Sequence, residues 1–522
     1  MRRAGGGRPP LALLLPAVLV VGLLLLPLAY LVLRAVGGGS DAFEILWRPE
    51  TAELLWSTGL LVAGVTAASV AIGVTVAWLV TRTDLPGRGF FGIAAALPLV
   101  IPSYVAAFCL LGALGPRGLL QQALGVERLP EIYGYWGALA ALTLSTYPYV
   151  LLLTAAALRG LDPALEEAAR GLGHPPREVL RRVTLPAVRP AIGGGALLVA
   201  LYTLSDFGVV SLMRYDALTR AIYLQYRSLF DRTPAAVLAL VLVALTAVVL
   251  VVEARSRRRT HRSSPGAPRR LRPHPLGRWK LPALAFCSAV VGGFLVLPAT
   301  VLVYWLSRGL ERTDWPWNEA LNSFSASGLA AVAAVLAALP VAILARRYPS
   351  RWTRLLERLS FTGNALPGIV IALALVFFAA NYAGPVYQTL ALLVFAYVVR
   401  FLPQGLAGIE SSLAGLNPRV EEASRALGRG PFRTTATVTV PLIRSGILAG
   451  AALVFLSAMK ELPATLLLRP IGFDTLATDI WRFTSVGAYS EAALPALLLI
   501  AVSAPFVYLL AARHGPEAAD PG

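Results

Sequence analysis

Asp206, Lys460 and Glu461 are ionisable residues set inside otherwise apolar stretches, LYTLSDFGVV and FLSAMKELPATLLL. A charge in such a stretch is costly to place, so it marks a transport pathway, a proton relay or a buried pair. Carboxylate oxygens are hard ligands that suit hard cations. Tyr202, Tyr215, Tyr223 and Tyr226 lie on or just beyond the first stretch. A phenolate suits ferric iron, although tyrosines also gather at membrane interfaces for ordinary reasons. Two readings stay open. Asp206, Lys460, Glu461 and Tyr202 line a translocation pathway, or Asp206 and Lys460 form a salt bridge that holds two parts of the chain together. Arg400 is a fourth ionisable residue of this kind, and contact with lipid headgroups from the lower part of the tenth span is the reading favoured for it.

Other chemistry is poorly represented. His174, His261, His274 and His514 all fall outside the apolar stretches, so no buried catalytic cluster forms. Cys109 and Cys287 cannot supply a four-ligand metal site and read as small buried apolar residues. No metal site is assigned. The two lysines, Lys280 and Lys460, sit in no G-x-x-x-x-G-K-[ST] phosphate loop. The chain therefore reads as no enzyme, and energy for transport must come from a partner.

The elements that hold these residues follow from composition. The 522 residues are 57% hydrophobic and 14% charged, far below the ~25% charge of soluble domains. Apolar runs separated by short charged stretches indicate a polytopic membrane protein. Twelve spans are expected: 11–33, 57–80, 90–114, 135–158, 190–212, 235–252, 281–306, 325–345, 361–380, 387–409, 445–468 and 492–512. Arg2, Arg3 and Arg8 precede the first, which is too long for the core of a cleaved signal peptide. With both termini in the cytoplasm, cytoplasmic segments hold most of the 46 Lys and Arg, while the acids divide almost evenly. This is the positive-inside bias. It accounts for the net charge of +18 without nucleic acid.

Residues 253–280 form a basic stretch rich in Arg, Pro and Ser, which reads as a cytoplasmic linker near the membrane surface. It divides a first half, 1–252, from a second, 281–522, each with six spans. A polar segment recurs after the fourth span of each half. LEEAARGLGHPPREVLRRVTLP at 165–186 aligns without gaps to VEEASRALGRGPFRTTATVTVP at 420–441, with ten identities. Two parallel pseudo-repeats of six spans are the consequence.

Local geometry can be read from the repeated segment. Asp162 and Asn417 are N-caps, and Pro163 and Pro418 occupy the first helical turn. A short helix should end at Gly173, and its twin at Gly428, in the left-handed C-cap conformation. Leu165, Ala168, Ala169 and Leu172 form one stripe, repeated as Val420, Ala423, Ser424 and Leu427. Glu166–Arg170 and Glu421–Arg425 are i,i+4 pairs. Pro176 and Pro431 open a second segment that should close at Pro186 and Pro441, before the next span. Small residues in the stripe permit close approach of another surface. A helix packed on its own bundle is the alternative, and occurrence once per half favours a two-fold symmetric partner.

The pattern Glu167-Ala168-Ala169, Gly173, Val183, Leu185, Pro186 resembles the EAA loop of ABC importer permeases. The second copy, Glu422-Ala423-Ser424, Gly428, Val438, Val440, Pro441, departs from it by serine and valine. The resemblance implies an all-α fold of about twelve transmembrane helices, similar to type I ABC importers. It implies coupling loops at 161–189 and 416–444 that dock on ATPase subunits through Glu166, Glu167, Ala168, Ala169, Gly173, Glu421, Glu422, Ala423, Ser424 and Gly428. The implied partners are a cytoplasmic ABC ATPase homodimer, which carries ATP and Mg2+, and an extracytoplasmic substrate-binding protein. On this reading the chain itself is expected to hold no cofactor, to span a bacterial inner membrane and to touch no nucleic acid. PLVIPSYVAAF, STYPYVLLLTAAALRG, SDFGVV and MKELPATLLLRPIGFDTLATDIW are similar to fused permeases of ferric iron importers. Fused permeases for thiamine and aminophosphonate share the layout. A proton- or cation-coupled secondary transporter, using Asp206, Lys460 and Glu461 as relay, is the rival class.

Overall fold

The computed structural model describes residues 9–116, 118–126, 131–227, 233–257, 273–309 and 314–513. Arg2, Arg3, Arg8 and positions 258–272 of the basic linker lie outside the described residues. Among those described, regular structure is helical apart from one isolated bridge, Thr83 with His274. Among the described residues nine helices are long and apolar enough to cross a membrane, or eleven if each of two bent pairs counts as one span. The span expected at 492–512 falls within the helix Tyr489–Arg513. The one expected at 361–380 belongs to a bent pair, Arg351–Asn364 and Gly368–Tyr382, with 101° between its arms.

Two compact units emerge, and they do not follow the linear halves. One contains the described residues of Met1–Leu46, Ile222–Val243 and Pro316–Asp479. The other contains those of Trp47–Ala221, Ala244–Trp315 and Ile480–Gly522. Each is built on three helices in the same order. Pro49–Arg82 packs along Tyr135–Arg159 and Leu185–Ser205. In the other unit Trp317–Arg347 packs along Leu390–Gly415 and Arg444–Met459. Small residues allow this proximity, as in membrane helix pairs generally. A Cβ on Gly195 would lie 2.8 Å from the Cα of Val150. Gly408 faces Gly450 just as closely.

The first span of each half belongs to the unit built on the opposite half. Leu11–Gly37 packs against Trp317–Arg347 and Gly368–Tyr382, with the Tyr30 ring edge-on to Phe378 at 5.9 Å. Lys280–Val291 brings Ala283, Cys287 and Val290 into the cluster formed by Val76, Tyr147 and Leu151. Its continuation, Leu297–Gly309, packs on Ser103–Leu114 and Tyr489–Arg513.

The chain enters that unit through a strap. The His274 N–H donates to the Arg82 carbonyl at 2.8 Å, and the Asp84 N–H to the His274 carbonyl at 3.1 Å. Asp84 accepts the Leu276 N–H at 2.8 Å and pairs with the Lys280 ammonium at 3.1 Å. These two contacts, the Leu276 amide first, hold the Asp84 carboxyl below its ordinary pKa.

Of the two prolines expected to close the repeated segment, Pro186 does not, whereas the second segment ends one residue after Pro441. Helix Pro176–Val179 passes through a π-helical turn, Leu180–Thr184, directly into Leu185–Ser205. Pro186 stands in the first turn of that last helix. The wider π turn leaves room for a residue that lacks an N–H. In the other copy the π turn is Thr435–Thr439, and the break comes after Pro441, at Ile443. Phe432–Leu442 and Arg444–Met459 meet there at 73°.

Candidate functional site

The first repeated segment forms the helix Pro163–Gly171, here the first lever. The Asp162 side chain accepts the Ala164 N–H at 3.0 Å, which caps its start. At its end the Gly173 N–H reaches the Arg170 carbonyl and the His174 N–H reaches that of Ala169, at 2.9 and 3.2 Å. This is a Schellman closure, and Gly173 adopts the φ of +85° that it requires. The second lever, Pro418–Ala426, repeats each feature. Asn417 accepts the Arg419 N–H at 3.1 Å. Gly428 has φ +80°, and the Arg429 N–H reaches the Ser424 carbonyl at 3.3 Å.

Adjacent glutamates turn opposite ways. Glu167 and Glu422 are exposed, whereas Glu166 and Glu421 are buried. Glu166 Oε1 lies 2.7 Å from Arg82 Nη2 and accepts the Thr184 hydroxyl at 2.7 Å. Arg170, the partner expected from spacing, stands further off, at 3.6 Å from Oε2. Glu421 Oε1 accepts from Arg347 Nη2 at 2.9 Å and from the Thr439 hydroxyl at 2.8 Å. Arg347 Nε is 2.8 Å from Oε2 without the alignment of a hydrogen bond. Arg82, Arg347, Thr184 and Thr439 have no place in the sequence reading. The signal for the arginines was their position where an apolar span ends.

The expected stripe divides between the two faces. Ala169 and Ser424 turn inward. Leu165, Ala168 and Leu172 are exposed on the first lever, and Val420, Ala423 and Leu427 on the second. Leu172 and Leu427 are 79% and 81% exposed, and Phe432 beside the second lever is 79% exposed. An exposed apolar face of this kind marks a contact surface.

The two buried carboxylates also repeat one arrangement. The helix Leu185–Ser205 stops at Asp206, whose Oδ1 accepts the Val209 N–H at 2.8 Å. The helix Arg444–Met459 stops just before Glu461, whose Oε1 accepts the Ala464 N–H at 3.2 Å. In each case a carboxylate caps a short helix, Gly208–Leu212 or Pro463–Leu468. Their partners differ. Ser103, first residue of a helix after Pro102, donates its hydroxyl to Asp206 Oδ2. In the other unit the residue after Pro367 is Gly368, and a Cβ there would overlap the Arg400 guanidinium. Arg400 Nη1 fills that space and lies 2.9 Å from Glu461 Oε1. Arg400 thus turns inward to a carboxylate, not outward to headgroups.

Lys460 and Tyr202 are partly buried, and the Tyr202 ring stands 6.1 Å from that of Tyr149. Tyr215 donates to the Ser57 carbonyl at 2.8 Å, and Tyr226 packs on Phe377. Among the described residues no group of three or more His, Cys, Asp or Glu could hold a metal ion.

Similarity to known proteins covers both units. A family model described as "Binding-protein-dependent transport system inner membrane component" matches residues 69–262 and again 317–517. Each match contains one lever and one capping carboxylate. The chain is 36% identical over 513 residues to "Fe(3+)-transport system permease protein FbpB 2" of Haemophilus influenzae, covering 96% of this chain and 98% of that protein. It is 25% identical over 477 residues to "Ferric transport system permease protein FbpB" of Actinobacillus pleuropneumoniae, covering 85% and 69%. A shorter match, 34% over 146 residues, is to "Molybdenum transport system permease protein ModB" of Escherichia coli, covering 27% and 62%.

Proposed function

This chain belongs to the inner-membrane components of binding-protein-dependent transport systems, and on that premise we propose that it imports ferric iron. It is the membrane-spanning permease of an ABC importer, multi-pass and not itself catalytic. The family implies an ATPase and a binding protein as partners. The observation that supports iron is the 36% identity to an Fe(3+)-transport permease across almost the whole of both chains.

In this reading the exposed faces of the two levers dock on a cytoplasmic ATPase homodimer, which holds ATP and Mg2+. One chain serves each ATPase pair, because both levers are in one polypeptide. Both termini are cytoplasmic. The binding protein delivers cargo on the other side. Asp206, Glu461, Lys460 and Tyr202 line the route, with carboxylate oxygens suited to a hard cation. The linear halves 1–252 and 281–522, joined by the basic linker 253–280, are the products of a duplication.

The test is uptake by the complex of this chain, ATPase and binding protein in proteoliposomes. ATP-dependent accumulation of labelled ferric iron is expected, with none of thiamine or aminoethylphosphonate. Accumulation of either of those instead of iron overturns the substrate.

A further inference from the structure

We propose that Arg82 and Arg347 are positioning residues for energy coupling: each ties its lever to a helix to which the lever is not joined by the chain. The inference rests on the docking of the levers described above. Each lever is covalently continuous with two of the three core helices of its unit. The first follows Tyr135–Arg159 and leads into Leu185–Ser205. The second follows Leu390–Gly415 and leads toward Arg444–Met459. The third core helix, Pro49–Arg82 or Trp317–Arg347, has no such connection. It ends in the arginine that reaches the buried glutamate of the lever.

The joint is built to one plan twice. Side-chain exposure is 5% for Arg82 and 7% for Glu166, and 11% for Arg347 and 5% for Glu421. A hydroxyl from the π turn, Thr184 or Thr439, closes the third side at 2.7 or 2.8 Å. Cohesion alone is a weak reason for such a pair. Replacing a buried ion pair by well-packed apolar residues is often neutral or stabilising. What the pair adds is direction, since it fixes the first turn of the lever against one helix end. The two glutamates then divide the work. Glu166 and Glu421 hold the lever to its own unit, and Glu167 and Glu422 face outward. A push on the exposed face reaches all three core helices together, two through the chain and the third through arginine.

The experiment uses the full complex in proteoliposomes and reads iron transported per ATP hydrolysed. In the apolar pair R82M/E166L the buried charges are gone together, so folding is maintained. The exposed lever faces are untouched, so the ATPase still co-purifies. Transport per ATP is expected to fall by about tenfold, within the ~5–150-fold range of ordinary coupling energies. The exchange R82E/E166R should recover at least half of it, as should R347E/E421R against R347M/E421L. Wild-type coupling in the apolar variants, or no recovery in the exchanges, overturns the assignment. Failure of the unaltered chain to retain the ATPase overturns the docking reading instead.

Discussion

Glu166 and Glu167 are neighbours of one chemical type, and the turn of about 100° per helical residue leaves the first buried and the second exposed. Spacing along the sequence suggests Arg170 as the partner of Glu166, but the nearer guanidinium comes from Arg82, 84 residues away. No local pattern encodes that pairing. The same holds for Glu461, whose carboxylate was legible as an intramembrane charge, while its dependence on Gly368 was not. Gly368→Ala should displace Arg400 and strand Glu461 without its counter-charge. A loss of about 3–5 kcal/mol is expected, seen as a lower thermal midpoint of the detergent-solubilised protein. Asp206→Asn keeps the size of the side chain and an oxygen to accept the Val209 amide. Iron uptake should fall at least about tenfold, the ordinary scale of a lost charged contact, with an unchanged thermal midpoint. Unchanged uptake would remove Asp206 from the route.

At the scale of elements, the levers were the most legible part, because caps are short-range signals. Asp162, Pro163 and Gly173 each do what their residue type favours, and so do their twins. The continuation through Pro186 was not legible, since a π turn has no sequence signature comparable to a cap. Gly428→Pro should break the second lever at its end. Proline is fixed near φ −65°, whereas Gly428 stands at +80° and donates to the Arg425 carbonyl. The change should cost more than about 1 kcal/mol locally and abolish ATPase co-purification while membrane insertion persists. Leu172→Asp with Leu427→Asp should also release the ATPase, by charging both exposed faces; retention in a pull-down would argue against docking there. The strap beside the first lever carries a pH dependence. The Asp84 pKa is lowered in the folded chain, so its contribution is full above the unfolded value of ~3.9 and lost as pH falls through the folded value. Protease cleavage near His274 should therefore increase only in that acid range.

For the molecule as a whole, the twin polar segments made a repeat legible, and the family model likewise matches twice, at 69–262 and 317–517. The exchange of first spans was not legible, because apolar helices carry no address in their composition. Leu11–Gly37 reads as a span but does not state which helices it will meet. Separately expressed halves, divided within 258–272, should each be degraded, and their co-expression should restore uptake. Recovery by either half alone would contradict the exchange. The same exchange sets a schedule for biogenesis. When Leu11–Gly37 leaves the ribosome, its packing partners Trp317–Arg347 and Gly368–Tyr382 are hundreds of residues from being made. At ~5–20 residues per second it must wait in the lipid for tens of seconds, unpartnered and open to membrane proteases. A newborn copy is therefore most vulnerable before its second half has been translated.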